Sequence, residues 1–317
     1  MELLISRPMT AAVEARALAL FPDAVLRTET TPMTEDEMVR SLQTYDVVVP
    51  TLGDLFSAKI FAQVPSPRCR LLANFGVGFN HIDTKAAAAK GIAVSNTPGA
   101  VTDATADIAL SLILMTARRA GEGERLVRSG GWQGWHPTQM LGQHVTGKTV
   151  GIVGMGRIGQ AIARRCHFGF GMAVRYIARS PKDLSFPSVQ DADLLTLAGA
   201  VDFLVVAVPG GAETRHLIDA PVLRAMQSTA ILVNIARGEV VDEQALIAAL
   251  TDREIAGAGL DVYEFEPVVP KVLTDLETVV LLPHLGTATQ EVRTGMGHMV
   301  FDNVEAFMSG APLPNPV

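Results

Sequence analysis

The sequence predicts an α/β protein with two doubly wound parallel sheets, and three observations carry that reading. Short apolar runs alternate with helically spaced segments along most of the chain, as strand–helix–strand units require. One run, residues 149–153, leads into Gly154, Gly156 and Gly159 at the spacing G-x-G-x-x-G, and Ile158, Ala161 and Ile162 follow at helical spacing. A Pro- and Gly-punctuated break, Asn96-Thr97-Pro98-Gly99, divides the alternation into two blocks.

In the first block, residues 2–6, 46–50, 71–75 and 92–95 read as short buried strands, and 10–21 carries helical apolar spacing. The third strand is closed by Gly76-Val77-Gly78. Asn80 and Asp83 can cap an Ala-rich helix over 84–90, which stops at Gly91. Beyond the break, 103–119 is a long, largely apolar helix and 121–129 a polar one. Residues 130–137, Gly-Gly-Trp-Gln-Gly-Trp-His-Pro, form an aromatic loop with no regular pattern. Strands are then expected at 149–153, 173–178, 203–208, 230–235, 256–261 and 278–282, with helices at 158–167, 193–198, 221–226 and 242–251. The segment 289–308 is helical but leads to no further strand, and its return to the first block makes that domain discontinuous. The expected division is 1–97 with 287–317, and 98–286.

The glycines give the second block its function. Gly154 permits a tight turn, Gly156 lets backbone approach a pyrophosphate, and Gly159 lets the helix lie close on the strand. The helix N-terminus adds free N–H groups and a positive dipole end. A purely structural Gly-rich turn is the competing reading, and the legible strand before and helix after disfavour it. The expected fold class is two doubly wound α/β domains, a Rossmann dinucleotide-binding domain inserted into a flavodoxin-like substrate domain.

Bulk properties exclude several alternatives. The 317 residues are 48% hydrophobic and 19% charged, an ordinary globular composition with length for two domains. A net charge of −7 argues against a nucleic-acid or anionic-membrane partner. Cys69 and Cys166 lie far apart and outside any C-x-x-C, so buried free thiols in a reducing compartment are expected. The opening residues lack the features of a signal peptide. The longest apolar stretch, 106–117, is interrupted by Asp107, Ser111 and Thr116 and is too short to span a membrane. A cytoplasmic enzyme is the expectation.

In open α/β sheets, ligands bind beyond the carboxyl ends of the strands. Three successive strands deliver ionisable groups there: Arg237 after the first, Asp261 and Glu266 after the second, His284 after the third. These types suit reduction of a 2-keto acid. Arginine grips a carboxylate with two parallel N–H bonds, and histidine supplies a proton near neutrality. A nearby carboxylate favours the imidazolium. Singly, each is ordinarily a solvated loop residue, and Asp261 has a turn-capping alternative; the argument lies in their convergence. His81, His136, His144, His167, His216 and His298 lack such a setting, and surface or capping roles are expected for them. No metal-ligand spacing and no G-x-S-x-G elbow occurs.

With these residues in place, the chain resembles the D-isomer-specific 2-hydroxyacid dehydrogenases. The segments that carry the resemblance are Gly76-Val-Gly-Phe-Asn-His-Ile-Asp83, the glycine turn, Asn234-Ile-Ala-Arg-Gly-Glu-Val-Val-Asp242, Gly259-Leu-Asp-Val-Tyr-Glu-Phe-Glu-Pro267 and Leu282-Pro-His-Leu-Gly-Thr-Ala-Thr289. Within the family it is most similar to the glyoxylate/hydroxypyruvate reductase branch, through Gly130-Gly131-Trp132 with Trp135 and Pro137, and through 102–106. The resemblance implies that Arg237 binds substrate, that His284 paired with Glu266 is the general acid, and that the Val77 and Gly78 amides hold the substrate carboxylate. With the glycine turn it implies a cofactor-binding set of Gly154, Gly156, Arg157, Ile158, Gly159, Val208, Pro209, Ile235, Ala236, Asp261 and Thr105, with Asp261 at the nicotinamide amide; Arg179 and Ser180 join this set on their own chemistry. A homodimer is expected, with the long helix after the first hinge at the interface. Trp135 is expected either to reach a neighbour's active site or to be a core or loop residue.

One departure bears on the cofactor. Many NAD-dependent relatives end the second strand of this domain with an Asp for the ribose hydroxyls. Here Ala178, Arg179 and Ser180 stand at that end. An arginine and a hydroxyl suit a 2′-phosphate, so NADP(H) is expected to be preferred, with NAD(H) possible. The expected reaction is reduction of glyoxylate or hydroxypyruvate to the D-2-hydroxy acid. The alternatives are another 2-hydroxy acid (2-ketogluconate, D-lactate-like or aromatic) or a non-catalytic NAD(P)-sensing protein.

Overall fold

Strands that are apolar at successive positions need cover on both faces, and both sheets of this protein are built from such strands. The structure, a computed structural model, describes all 317 residues. The chain divides into two units, residues 1–101 with 287–317, and residues 102–286.

The first unit holds five parallel strands: β1 (Leu3–Ile5), β2 (Val25–Leu26), β3 (Val47–Val49), β4 (Leu71–Ala73) and β5 (Ala93–Ser95), in the order β2-β1-β3-β4-β5. This is the flavodoxin-like order. Alternation sends Leu4, Val48 and Leu72 to one face, where they pack with Leu42, Phe56 and Phe61. Leu3, Ile5, Val47, Val49 and Leu71 go to the other face, with Val13, Phe301 and Val304. The C-terminal helix Gln290–Ser309 therefore completes the core of this unit. It approaches the helix Ala11–Leu20 so closely that a Cβ on Gly297 would stand 2.2 Å from Val13 Cγ2. β2 and the helices Glu35–Thr44 and Ala58–Ala62 stand beyond the elements expected from sequence. The first of these helices had a legible start, since Thr34 and Glu37 form a reciprocal capping box.

The second unit holds seven parallel strands: β6 (Thr149–Val153), β7 (Ala173–Ile177), β8 (Ser188–Gln190), β9 (Phe203–Val206), β10 (Ile231–Asn234), β11 (Gly257–Leu260) and β12 (Val279–Leu281). Their order is β12-β11-β10-β9-β6-β7-β8. Chain order reverses between β6 and β9, and that switch point lies at the carboxyl end of β6, where the glycine turn begins. The edge strand β8 and the helix Lys271–Asp275 were not foreseen. β8 is short and largely exposed, so it has no apolar signature to read. No helix is long and apolar enough to cross a membrane, and no group of His, Cys, Asp or Glu could hold a metal ion. Cys69 and Cys166 are buried free thiols, pushed up to about 12 by burial.

Candidate active site

Arg237, Glu266 and His284 follow β10, β11 and β12, three neighbouring strands paired in register at Asn234, Leu260 and Leu281. Parallel pairing thus sets the three loops side by side at one end of the sheet. His284 Nδ1 lies 2.9 Å from Glu266 Oε2, and each side chain is 30% exposed. Because the carboxylate accepts, Nδ1 carries the hydrogen and Nε2 faces away from Glu266. The second Glu266 oxygen accepts from the Tyr263 amide at 3.0 Å, so both oxygens hold fixed donors. Burial alone would raise the Glu266 carboxyl. The His284 hydrogen bond and charge, the Tyr263 amide and the Arg237 charge outweigh it and hold the group below the ordinary carboxylate range.

His284 is locked from behind. Its backbone is left-handed, with φ 55°, a conformation uncommon for a non-glycine residue. Its amide donates to Asp261 O at 2.9 Å. The Asp261 carboxylate accepts from the Leu285 and Gly286 amides at 2.6 and 2.8 Å, and Thr105 Oγ1 donates to Gly286 O at 3.1 Å. Burial raises the Asp261 carboxyl in spite of those amides and the nearby His284. Thr105 and Asp261 therefore spend polar atoms on the 284–286 turn that presents the imidazole.

Arg237 is seated by its own turn. The buried Asn234 accepts from the Ala236 amide through Oδ1 and donates to Arg237 O through Nδ2, both at 3.0 Å. Arg237 Nη1 donates to Ala236 O at 2.6 Å. Gly238 lets this turn press on the 263–264 backbone, since a Cβ there would stand 1.8 Å from Tyr263 C. Burial pushes the guanidinium below its ordinary range, while Glu266 and Glu239 act in the opposite direction. Arginine still remains protonated.

In the first unit, Val77 and Gly78 are partly buried in the turn after β4, and their amides donate to no acceptor within the chain.

The glycine turn shows two unlike sides. A Cβ on Gly154, at φ 101°, would meet Ala207 O at 2.8 Å, and one on Gly159 would meet Gly154 O at 2.1 Å. A Cβ on Gly156 would meet nothing within 4 Å. The turn is packed behind and open in front, at the N-terminus of the helix Arg157–Phe170. That shape fits a pyrophosphate.

Comparison with known proteins identifies the family. The family model for the D-isomer specific 2-hydroxyacid dehydrogenase NAD binding domain matches residues 110–286. A glyoxylate reductase of Thermococcus kodakarensis is 46% identical, over 88% of this chain and 85% of its own length. The chain belongs to the D-isomer-specific 2-hydroxyacid dehydrogenase family. A glycerate dehydrogenase of Hyphomicrobium methylovorum is 35% identical, over 98% of this chain and 97% of its own. Among solved structures, an NADPH-dependent glyoxylate/hydroxypyruvate reductase from Sinorhizobium meliloti, in complex with NADP and malonate, matches with a TM-score of 0.88. It is 35% identical and covers 100% of this chain and 96% of its own.

This dehydrogenase is an oxidoreductase with a nicotinamide dinucleotide domain, and its remaining expected cofactor residues fall at the helix start and after β7, β9 and β10. Arg157 is exposed and Ile158 half-buried at the start of the helix. Val208 and Pro209 follow β9, and Ile235 and Ala236, both buried, follow β10. Arg179 and Ser180 are exposed after β7, and Lys182 Nζ lies 3.0 Å from Ser180 Oγ. Trp135 is 79% exposed in its loop, so it is not a core residue of this chain. Two histidines differ from the expectation of surface or capping roles. His216 Nε2 pairs with Glu264 at 2.8 Å, which anchors the segment leading to Glu266. His81 is buried, with Nε2 3.0 Å from Asn74 Oδ1. Asn234, Tyr263 and Glu264 hold the turns that carry Arg237 and Glu266 without having been singled out in the sequence.

Proposed function

We propose that this dehydrogenase reduces glyoxylate or hydroxypyruvate to the corresponding D-2-hydroxy acid with NADPH. The observation that carries the reading is the His284–Glu266 pair at 2.9 Å, on the loops after β12 and β11, with the Arg237 turn after the adjoining β10. When bound, the nicotinamide cofactor supplies the hydride that reduces the C2 carbonyl carbon. The chain's own residues do the rest. His284 gives the proton on Nε2 to the C2 oxygen as negative charge develops there, and Glu266 stabilises the imidazolium that serves as donor. Arg237 binds the substrate carboxylate and polarises the carbonyl, and the Val77 and Gly78 amides are carboxylate donors of the first unit.

Gly154, Gly156 and Gly159 would hold the pyrophosphate, with Arg157 and Ile158 at the helix start. Val208, Pro209, Ile235 and Ala236 would line the nicotinamide side, and Asp261 and Thr105 would shape its far end through the 284–286 turn. Arg179 and Ser180 would take the adenosine 2′-phosphate; the absence of a carboxylate at the end of β7 supports this, as does the NADP carried by the Sinorhizobium relative. The exposed Trp132, Trp135 and Leu141 support a homodimer, since large apolar side chains bared together on a loop suit a second copy.

The test is a set of initial rates with NADPH and NADH across glyoxylate, hydroxypyruvate, pyruvate, phenylpyruvate and 2-ketogluconate. Highest kcat/KM with NADPH and one of the first two acids is expected. A higher value with NADH, or activity confined to a bulky acid, refutes the assignment.

A further inference from the structure

Every peptide plane carries a carbonyl and the next residue's amide on opposite sides. Holding the carbonyl therefore aims the amide. In the turn after β4 all three carbonyls are held. Gly76 O accepts from Thr97 N at 3.0 Å and from Asn74 Nδ2 at 3.1 Å. Val77 O accepts from Asn96 Nδ2 at 2.8 Å, and Gly78 O from Asn74 Nδ2 at 3.0 Å. The Gly76 carbonyl shares its plane with the Val77 amide, and the Val77 carbonyl with the Gly78 amide. Those two amides donate to nothing within the chain. The turn thus has its oxygens tied down and two adjacent N–H groups uncommitted, the polarity of an anion receptor.

We propose that Asn74 and Asn96 are positioning residues that preset this turn for the substrate carboxylate, with His81 fixing the orientation of Asn74. The proposal rests on the reading of Val77 and Gly78 as carboxylate donors. Asn74 is fully buried, so each of its polar atoms needs a partner. Its two N–H bonds serve Gly76 O and Gly78 O, which leaves Oδ1 as the acceptor. His81 Nε2, 3.0 Å away, must then be the donor. An aspartate in place of Asn74 has the same shape and no N–H. It would turn oxygen toward two carbonyls and free the plane that aims the Val77 amide. Asn96 acts on the other plane, through Val77 O.

The experiment measures binding of oxalate, a 2-keto-acid mimic, by calorimetry on the full-length protein saturated with NADPH, with NADPH affinity read separately from nucleotide fluorescence. Losing one aimed, charge-assisted donor should weaken oxalate by about tenfold or more in Asn74→Asp and in Asn96→Ala, with NADPH affinity within about twofold of wild type. His81→Gln, which keeps an N–H donor, should bind oxalate within about threefold of wild type, whereas His81→Leu should follow Asn74→Asp. Should Asn74→Asp fail to fold, Asn96→Ala carries the test. Wild-type oxalate affinity in the folded asparagine variants, or a parallel loss of NADPH affinity, overturns the proposal. Arg237→Lys separates it from the reading beneath. Oxalate weakened by Arg237→Lys and untouched by the asparagine variants leaves the carboxylate site standing and refutes the positioning role. No oxalate binding by wild type refutes both.

Discussion

Glu266→Gln is the sharpest perturbation of the proposed acid, because it keeps shape and removes charge. Both Glu266 oxygens accept hydrogen bonds, one from Tyr263 N at 3.0 Å and one from His284 Nδ1 at 2.9 Å. A glutamine has one acceptor, so it must abandon either the amide that fixes its own loop or the imidazole. It also withdraws the anion that stabilises the imidazolium. A hydrogen bond to a charged group contributes about 1.5–3 kcal/mol, and side chains that are 30% exposed belong in the lower half of that range. A loss of about 2 kcal/mol corresponds to about a thirtyfold fall in kcat, at about 1.4 kcal/mol per factor of ten. The assay is NADPH oxidation at saturating glyoxylate, followed across pH. A kcat within about threefold of wild type at every pH would refute the role of Glu266.

The remaining predictions concern the neighbouring groups. His284→Ala should lower kcat by about 10²–10⁴ while NADPH affinity, read by fluorescence, stays near wild type; unchanged turnover removes His284 from the mechanism. Arg237→Ala should raise KM for the 2-keto acid and lower kcat, and an effect confined to cofactor binding contradicts its assignment. Arg179→Ala should lower kcat/KM with NADPH by about tenfold or more and leave NADH nearly unaffected. The Glu266 carboxyl is held below its ordinary value, so it binds its proton less readily folded than unfolded. Its contribution to stability is present above the ordinary carboxylate range and is lost as pH falls through the depressed value. Glu266→Gln should therefore flatten the acid limb of a melting-temperature profile, and an identical limb refutes that linkage.

Elements that bury continuous apolar runs were readable from sequence. β1, β3, β4, β6, β9 and β10 are fully apolar or nearly so, and both faces of each are covered. The elements that escaped lie at edges, are short, or carry only a narrow apolar stripe. β2 has two residues and β8 is mostly exposed, so neither needs hydrophobic periodicity. The helix Ala58–Ala62 spans little more than one turn, too short for a 3.6-residue pattern to repeat. The helix Glu35–Thr44 was legible through its cap and not through its composition, which is polar along most of its length.

The site divides in the same way, between groups that ionise and groups that aim. Arg237, Glu266 and His284 could be read because strand ends in a parallel sheet converge on one edge, and charge placed there is conspicuous. Asn74, Asn96 and Asn234 could not, because each works by turning a backbone plane through contacts two to nineteen residues away. An asparagine in a loop looks like ordinary turn chemistry until the fold shows which carbonyl it holds. His81 illustrates the difference. Judged by its neighbours in sequence it had no catalytic setting. Its imidazole is nonetheless buried against the one side chain that ties Gly76 to Gly78. Where a backbone amide does the binding, the residue type at that position carries little information, and the specificity of the sequence shifts to the side chains that orient the peptide behind it.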